Sequence, residues 1–162
     1  MFRLILILIL MNIGLFAETD SKSPIEVFKA ERIPQGDIFL SQAKNYYADK
    51  EYHQAIEKLI DFIILYPNHP EKLKAQKLLS LAYQFNDEWE KSVEVDMKIF
   101  RENPTVENGL SSYLDAARKL VKMGRETKAK SILESLTKQM YSNKIAKEAE
   151  IELVQMKILE SN

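Results

Sequence analysis

Apolar residues recur along much of the chain at spacings of three and four, with charged and polar residues between them. Leu59 with Phe62 and Leu133 with Leu136 follow this spacing, which is typical of the buried stripe of an amphipathic helix. No stretch alternates apolar and polar residues at period two for long enough to predict a sheet. We therefore predict an all-α protein, with helices at about residues 37–49, 52–66, 70–86, 88–102, 106–123, 126–140 and 143–160.

Turn-forming residues separate these predicted helices. Three turns are expected where asparagine, aspartate or glycine tolerates a left-handed or capping backbone: Asp49–Lys50, Asn86–Asp87 and Gly124. Pro67 and Pro104 should each end a helix, whereas Pro70 suits the first turn of the next one.

The chain also repeats itself at an offset of 37 residues. Four positions of the first copy recur in the second, as Tyr46 and Tyr83, Tyr52 and Trp89, Ala55 and Ser92, and Pro67 and Pro104. Two positions stay small in three copies: Ala43, Ser80 and Ala117, and Ala55, Ser92 and Ala129. Antiparallel helices approach closely only where the crossing residues are small. We expect these residues at the helix crossings.

These small, aromatic and proline positions resemble the tetratricopeptide repeat (TPR) family, whose unit has ~34 residues. The longer period and the sequence Leu65-Tyr66-Pro67-Asn68-His69-Pro70 are similar to repeats of bacterial periplasmic proteins, of the Tol-Pal associated type and the outer-membrane assembly lipoprotein type. The resemblance covers residues 36–141. It implies a right-handed α-solenoid of about three TPR-like helical hairpins, with the helix after residue 143 as a C-terminal cap.

The first 17 residues have the layout of a signal peptide. Arg3 is their only charge, an apolar run follows, and Leu15-Phe16-Ala17 precedes a polar segment. We expect cleavage after Ala17 and a periplasmic or secreted protein; the alternative is an uncleaved anchor, the one case in which we expect membrane contact. Residues 18–35 are expected to be a polar linker with one short helix from Pro24 through Arg32, and residues 36–162 the helical repeat domain.

Composition excludes several kinds of chemistry. With four glycines and no cysteine, the chain has no glycine-rich phosphate loop, thiolate zinc site or cysteine nucleophile. A net charge of -1 argues against nucleic acid as a partner. His53 with Glu57 supplies only two weak metal ligands, which are too few for a metal site. We expect surface or turn roles for His53 and His69. Trp89, at the position of Tyr52 in the first copy, is expected to have a packing role. We expect no cofactor, no metal and no enzyme activity.

One face of the first helices of the hairpins carries an excess of basic residues. Lys44, Lys74, Lys77, Arg118 and Lys122 stand against a single acid, Asp37. The candidate partner-binding residues on and beside this face are Leu40, Lys44, Tyr47, Lys74, Lys77, Leu81, Phe85, Leu114, Arg118, Val121 and Lys122. Basic and apolar side chains together favour a peptide with carboxylates and apolar anchors. The alternative is ordinary solvated lysines, with Leu40, Leu81 and Leu114 packed against neighbouring residues.

Two functional hypotheses follow from this pattern. The first is an adaptor of the cell envelope that binds another protein or peptide through the concave face. The second is a self-associating scaffold, in which the apolar last helix stacks on another copy of the chain.

Overall fold

The computed structural model describes the backbone of residues 24–160 and the side chains of residues 33–158. The predicted signal peptide and the first part of the predicted linker, up to residue 23, lie outside the described residues. All regular secondary structure within the described part is α-helical, as the hydrophobic pattern predicted. None of the described helices is long and apolar enough to cross a membrane.

The described residues form seven helices: α1 Pro24–Ala48, α2 Tyr52–Leu65, α3 Lys72–Phe85, α4 Trp89–Glu102, α5 Glu107–Lys122, α6 Glu126–Lys138 and α7 Asn143–Glu160. From α2 onward each helix packs against the next, and α7 also contacts α5. The bounds of α2 to α7 lie within two residues of the predicted ones.

The predicted break between a short linker helix and the first repeat helix is wrong. Helix α1 is continuous, and Pro34 lies inside it. A proline removes one helical hydrogen bond, but here the helix continues past Pro34 to Gly36 and Leu40, which are both buried. Every side chain discussed below belongs to the compact unit that begins at Ile33.

The 37-residue offset reappears in the helix bounds. Helices α1, α3 and α5 end at residues 48, 85 and 122, and helices α2, α4 and α6 begin at residues 52, 89 and 126. In each intervening turn the equivalent residue has a left-handed backbone: φ is 63° at Lys50, 61° at Asp87 and 70° at Gly124. These are the turns that the sequence predicted.

Each of these turns has the same pair of backbone hydrogen bonds. The residue after the left-handed position donates to the carbonyl five residues earlier: Glu51 to Tyr46, Glu88 to Tyr83 and Arg125 to Leu120, at 2.8–2.9 Å. The left-handed residue donates to the carbonyl three residues earlier: Lys50 to Tyr47, Asp87 to Gln84 and Gly124 to Val121. This is the Schellman arrangement, which satisfies helix carbonyls and reverses the chain sharply.

The apolar core of the described residues consists of two clusters. The first includes Leu40, Leu59 and Phe62 and extends to Leu79 and Tyr83 of α3. The second joins α5, α6 and α7. The repeated small residues are all buried, with at most 2% of their surface exposed: Ala43, Ala55, Ser80, Ser92, Ala117 and Ala129. Their burial agrees with the prediction that they lie where helices cross.

His69 is more deeply buried than a surface role would allow, with 7% of its surface exposed. It lies in the turn between α2 and α3, where its Nδ1 accepts a hydrogen bond from the Glu71 amide at 3.1 Å. A neutral ring therefore has its proton on Nε2, 3.3 Å from the Ile33 carbonyl oxygen. A Cβ at Gly36 would lie 2.7 Å from the His69 ring, so this glycine allows α1 to approach the turn.

We predict opposite effects on stability for two substitutions at equivalent turn positions. No atom lies within 4 Å of a Cβ built on Gly124, so Gly124→Ala should cost about 1 kcal/mol for conformational reasons alone. Lys50→Gly should stabilise the protein by roughly 0.5 kcal/mol, because glycine adopts the left-handed conformation without strain. Urea unfolding followed by circular dichroism measures both changes, with the exposed helical variant Lys128→Ala as a control. Equal stability of Gly124→Ala and wild type would contradict the prediction.

Candidate partner-binding face

A cavity of about 280 Å³ lies between α3 and α5 and has α4 at its base. We call it the central cavity. Its lining residues are Lys77, Ser80, Leu81, Gln84, Asp96, Ser112, Asp115, Arg118, Lys119 and Lys122. Four of the predicted partner-binding residues thus surround one cavity: Lys77, Leu81, Arg118 and Lys122.

The floor of the central cavity is a buried ion pair. The Lys119 ammonium on α5 donates to Asp96 Oδ2 on α4 at 2.6 Å and to Ser80 Oγ on α3 at 2.7 Å. All three residues have less than a tenth of their surface exposed. A buried charge is tolerated only when it is paired and hydrogen-bonded. The pair therefore ties three consecutive helices together through one polar contact.

Two serines extend this polar layer. Ser92 Oγ donates to the Ser80 carbonyl at 2.6 Å, and the two hydroxyl oxygens lie 3.1 Å apart. Within the described residues, no fully buried side-chain nitrogen or oxygen lacks a hydrogen-bond partner. The polar layer is therefore fully satisfied, as its burial requires.

The repeat contains a signal for this ion pair that could have been found in the sequence. Asp96 occupies the position held by Leu59 in the first copy and Leu133 in the third, and both leucines are buried. Lys119 occupies the position of the buried Ala82. A charged residue at a core position of a repeat was the available signal, because it predicts a compensating partner nearby.

Burial raises the pKa of the Asp96 carboxyl above its ordinary range, and the nearby Lys119 charge only partly offsets this effect. The folded protein consequently binds the Asp96 proton more tightly than the unfolded chain does. The contribution of this group to stability is therefore greatest at low pH and decreases as the pH rises through its folded pKa.

Arg118 is held by acids of the protein itself. Its guanidinium donates to Glu152 at 2.8 Å and to Glu148 at 3.3 Å, both on α7, and lies 3.4 Å from Asp115. Three carboxylates around one cation neutralise its charge and fasten α7 to α5. Arg118 therefore lines the cavity with a largely structural role.

The other basic candidates differ in how much of their charge is compensated. Lys74 pairs with Glu71 at 2.8 Å, and Lys44 is exposed. Lys77 donates to the neutral amide oxygen of Asn108 at 2.9 Å, and the Lys122 ammonium lies 5.7 Å from the centre of the Trp89 ring. A neutral amide and an aromatic face leave the net charge of Lys77 and Lys122 in place.

Two of the apolar candidates do not face a groove. Leu40 and Leu114 each have 1% of their surface exposed and lie in the two apolar clusters. They pack against neighbouring helices because the core stripe is wider than predicted. Leu81 is 41% exposed and remains available to a partner, whereas Val121 is partly buried against the second cluster.

The aromatic candidates form contacts between successive hairpins. Phe85 stacks on Tyr52, with ring centres 5.4 Å apart, and packs edge-on against Tyr47. Trp89 holds the position of Tyr52 one repeat later, and the residue over it is Lys122. Trp89 is only half-buried and donates through its indole nitrogen to Asp87, so it packs at the edge of the hairpin and not inside the core.

The remaining candidate chemistry is that of the exposed histidine and of a second cavity. His53 is exposed and lies 3.6 Å from Glu57. Among the described residues no three histidine, aspartate or glutamate side chains are grouped so that they could hold a metal ion. A second cavity of about 380 Å³ between α4 and α6 has a mixed lining that includes Glu90, Glu94, Arg125 and Lys128, without a buried charge at its base.

Comparison with known proteins does not assign this chain to a family. No protein-family model matches it, and no curated protein matches it significantly.

We predict that the buried ion pair can be replaced by the residues of the neighbouring repeats, but only as a pair. Asp96→Leu alone should cost about 3–5 kcal/mol because it leaves the Lys119 charge buried without its partner. The double variant Asp96→Leu with Lys119→Ala should return to within about 2 kcal/mol of wild type, since Ser80 and Ser92 keep their mutual hydrogen bonds.

Urea unfolding of the wild type, both single variants and the double variant forms a complete double-mutant cycle. Additive losses in the double variant would show that the two charges do not depend on each other.

Proposed function

We propose that this protein is a non-enzymatic binding protein of the cell envelope, built as a right-handed α-solenoid of TPR-type hairpins, that holds a partner protein or peptide at the face formed by α1, α3 and α5. The recurring helix bounds and Schellman turns support the repeat architecture. Repeats of this kind present the first helices of their hairpins on the concave surface, where partners bind.

The central cavity is the observation that carries the proposal. Its lining contains four basic and two acidic residues, and two further acids, Glu148 and Glu152, bind Arg118 at its wall. Arg118 and Lys119 are neutralised by carboxylates of the protein itself. The uncompensated charge is that of Lys77 and Lys122, beside the exposed side chain of Leu81.

This arrangement suits an acidic peptide with at least one apolar side chain. The carboxylates would be attracted to Lys77 and Lys122, and the apolar side chain would cover Leu81. Charge attraction between exposed groups speeds association, whereas apolar contact lowers the rate of dissociation. No step of this binding needs a cofactor or a covalent intermediate.

We predict that displayed random peptides selected on the immobilised full chain are enriched in aspartate and glutamate next to apolar residues. The double variant Lys77→Glu with Lys122→Glu should bind the selected peptides at least ~10-fold more weakly, because attraction becomes repulsion. Fluorescence anisotropy at low and physiological salt measures the affinities, and added salt should weaken wild-type binding.

The matched control is Lys98→Glu with Lys128→Glu, which changes the net charge equally but does not alter the lining of the central cavity. Equal losses in the two double variants would mean that overall charge, and not this face, attracts the peptides. Arg118 is left unchanged because its substitution would also weaken the attachment of α7 to α5.

The proposed location rests on the N-terminal segment. Arg3, the apolar run after it and the small residue Ala17 support export and cleavage. We predict that the full chain expressed in a bacterium yields an exported protein. Its intact mass should equal that of a chain beginning at Glu18. An intact mass that includes residues 1–17 in the membrane fraction would favour an anchor, and the full mass in the cytoplasm would contradict export.

A further inference from the structure

Helix α7 has apolar residues on two opposite sides. One side packs on α5 and α6 through the buried residues Ile145, Ala149 and Met156. The other side presents Ile151, Val154 and Ile158, which are 57%, 50% and 55% exposed. At about 100° per residue these two stripes lie roughly half a turn apart. The outer stripe therefore contributes little to the fold described above.

The repeat shows what this outer stripe is suited to contact. Ile151, Val154 and Ile158 lie 37 residues after Leu114, Ala117 and Val121 of α5. Leu114 and Ala117 are buried in the same cluster as α6. The outer stripe of α7 thus occupies positions that, one repeat earlier, pack against another helix. The helices described here leave it exposed.

The charges beside the outer stripe identify the partner helix. Glu150 and Lys157 lie along the same edge of the stripe and are both exposed. Neither has an ion-pair partner among the side chains that the structure describes. If a second α7 crosses antiparallel at Val154, residue 150 lies four positions before the crossing and residue 157 three positions after it. Glu150 of each copy then faces Lys157 of the other, and a parallel pairing would not produce this match.

We propose that the outer stripe of α7 is a self-association surface, at which two copies of the chain pair antiparallel about a two-fold axis at Val154. A two-fold interface must be complementary to itself, and this stripe meets that requirement in both its apolar residues and its charges. Three apolar residues per copy make a small contact, so the dimer is weak and depends on protein concentration.

The absence of cysteine from the sequence allows a direct test by site-specific crosslinking of the full chain. In the proposed dimer residue 154 of one copy faces residue 154 of the other, so the V154C variant should form an intermolecular disulfide under mild oxidation. The control is I64C, placed at another exposed apolar residue, on α2 (68% exposed). We expect crosslinking of V154C to be at least ~10-fold faster than that of I64C at equal concentration.

Charge reversal then tests the antiparallel register. In the V154C background, Glu150→Lys gives one copy only positive charges along this edge, and Lys157→Glu gives only negative ones. Each variant alone should crosslink at a rate near that of I64C, because like charges then face each other. An equimolar mixture should crosslink between the two variants at a rate near that of V154C, because both ion pairs form again. A size tag on one variant identifies the mixed product.

Several outcomes would overturn the proposal. Similar crosslinking rates for V154C and I64C would show that α7 does not bring two copies together. A mixture no faster than its components would reject the antiparallel charge pairing. Circular dichroism of each variant confirms that the helices are intact before the rates are compared.

Discussion

The close approach of helices at small residues is the constraint on which this structure depends. Ala43, Ser80 and Ala117 on one helix of each hairpin, and Ala55, Ser92 and Ala129 on the other, are almost completely buried. A larger side chain at any of them would push the two helices apart. The turns also keep the two helices of each hairpin close together. The left-handed residues Lys50, Asp87 and Gly124 reverse the chain within three residues. The crossings and the turns both recur at 37 residues, and this shared spacing brings equivalent side chains to equivalent places in successive hairpins.

The contact between the second and third hairpins keeps this geometry but changes its chemistry. Asp96 of α4 occupies the position at which the other two copies bury leucine, and Lys119 of α5 occupies the position at which the second copy buries Ala82. The Lys119 ammonium donates to both Asp96 and Ser80. A buried ion pair stabilises less than apolar packing of the same volume, but it tolerates few alternative arrangements. The pair has another consequence, since the polar layer lies under an open cavity and not under a packed apolar surface. This departure from the repeat therefore coincides with the site to which the binding proposal points.

Most of the helical architecture was predictable, because local chemistry determines it. Turn residues and prolines placed α2 to α7, and the repeat placed the small residues.

The predictions that were wrong or incomplete concern features that depend on neighbouring helices. Leu40 and Leu114 lie on the border between the core stripe and the predicted binding stripe, and only the packing of adjacent helices decides that they are buried. The continuity of α1 through Pro34 was also not predicted, because a proline inside a helix usually ends or kinks it. The partners of Arg118 lie 30 and 34 residues away on α7, at a distance that no local pattern indicates. For the site, four of the residues that the sequence placed on the partner-binding face, Lys77, Leu81, Arg118 and Lys122, lie around one cavity, but its charged floor was not predicted.

Helix α7 connects the two proposed surfaces. Its inner apolar residues close the second core cluster, its glutamates at 148 and 152 bind Arg118 at the wall of the central cavity, and its outer stripe faces away from both. An anion that bound Arg118 would compete with Glu148 and Glu152 for the same positive charge, and would thereby weaken the hold of α5 on α7. Thermodynamic linkage makes such coupling reciprocal: a second copy that stabilised α7 in its docked position would strengthen the glutamate contacts and oppose the entry of that anion. A partner carboxylate bound at Lys77 and Lys122 avoids this competition. The lysines and not the arginine are therefore the groups through which the cavity can bind a partner while α7 remains in place.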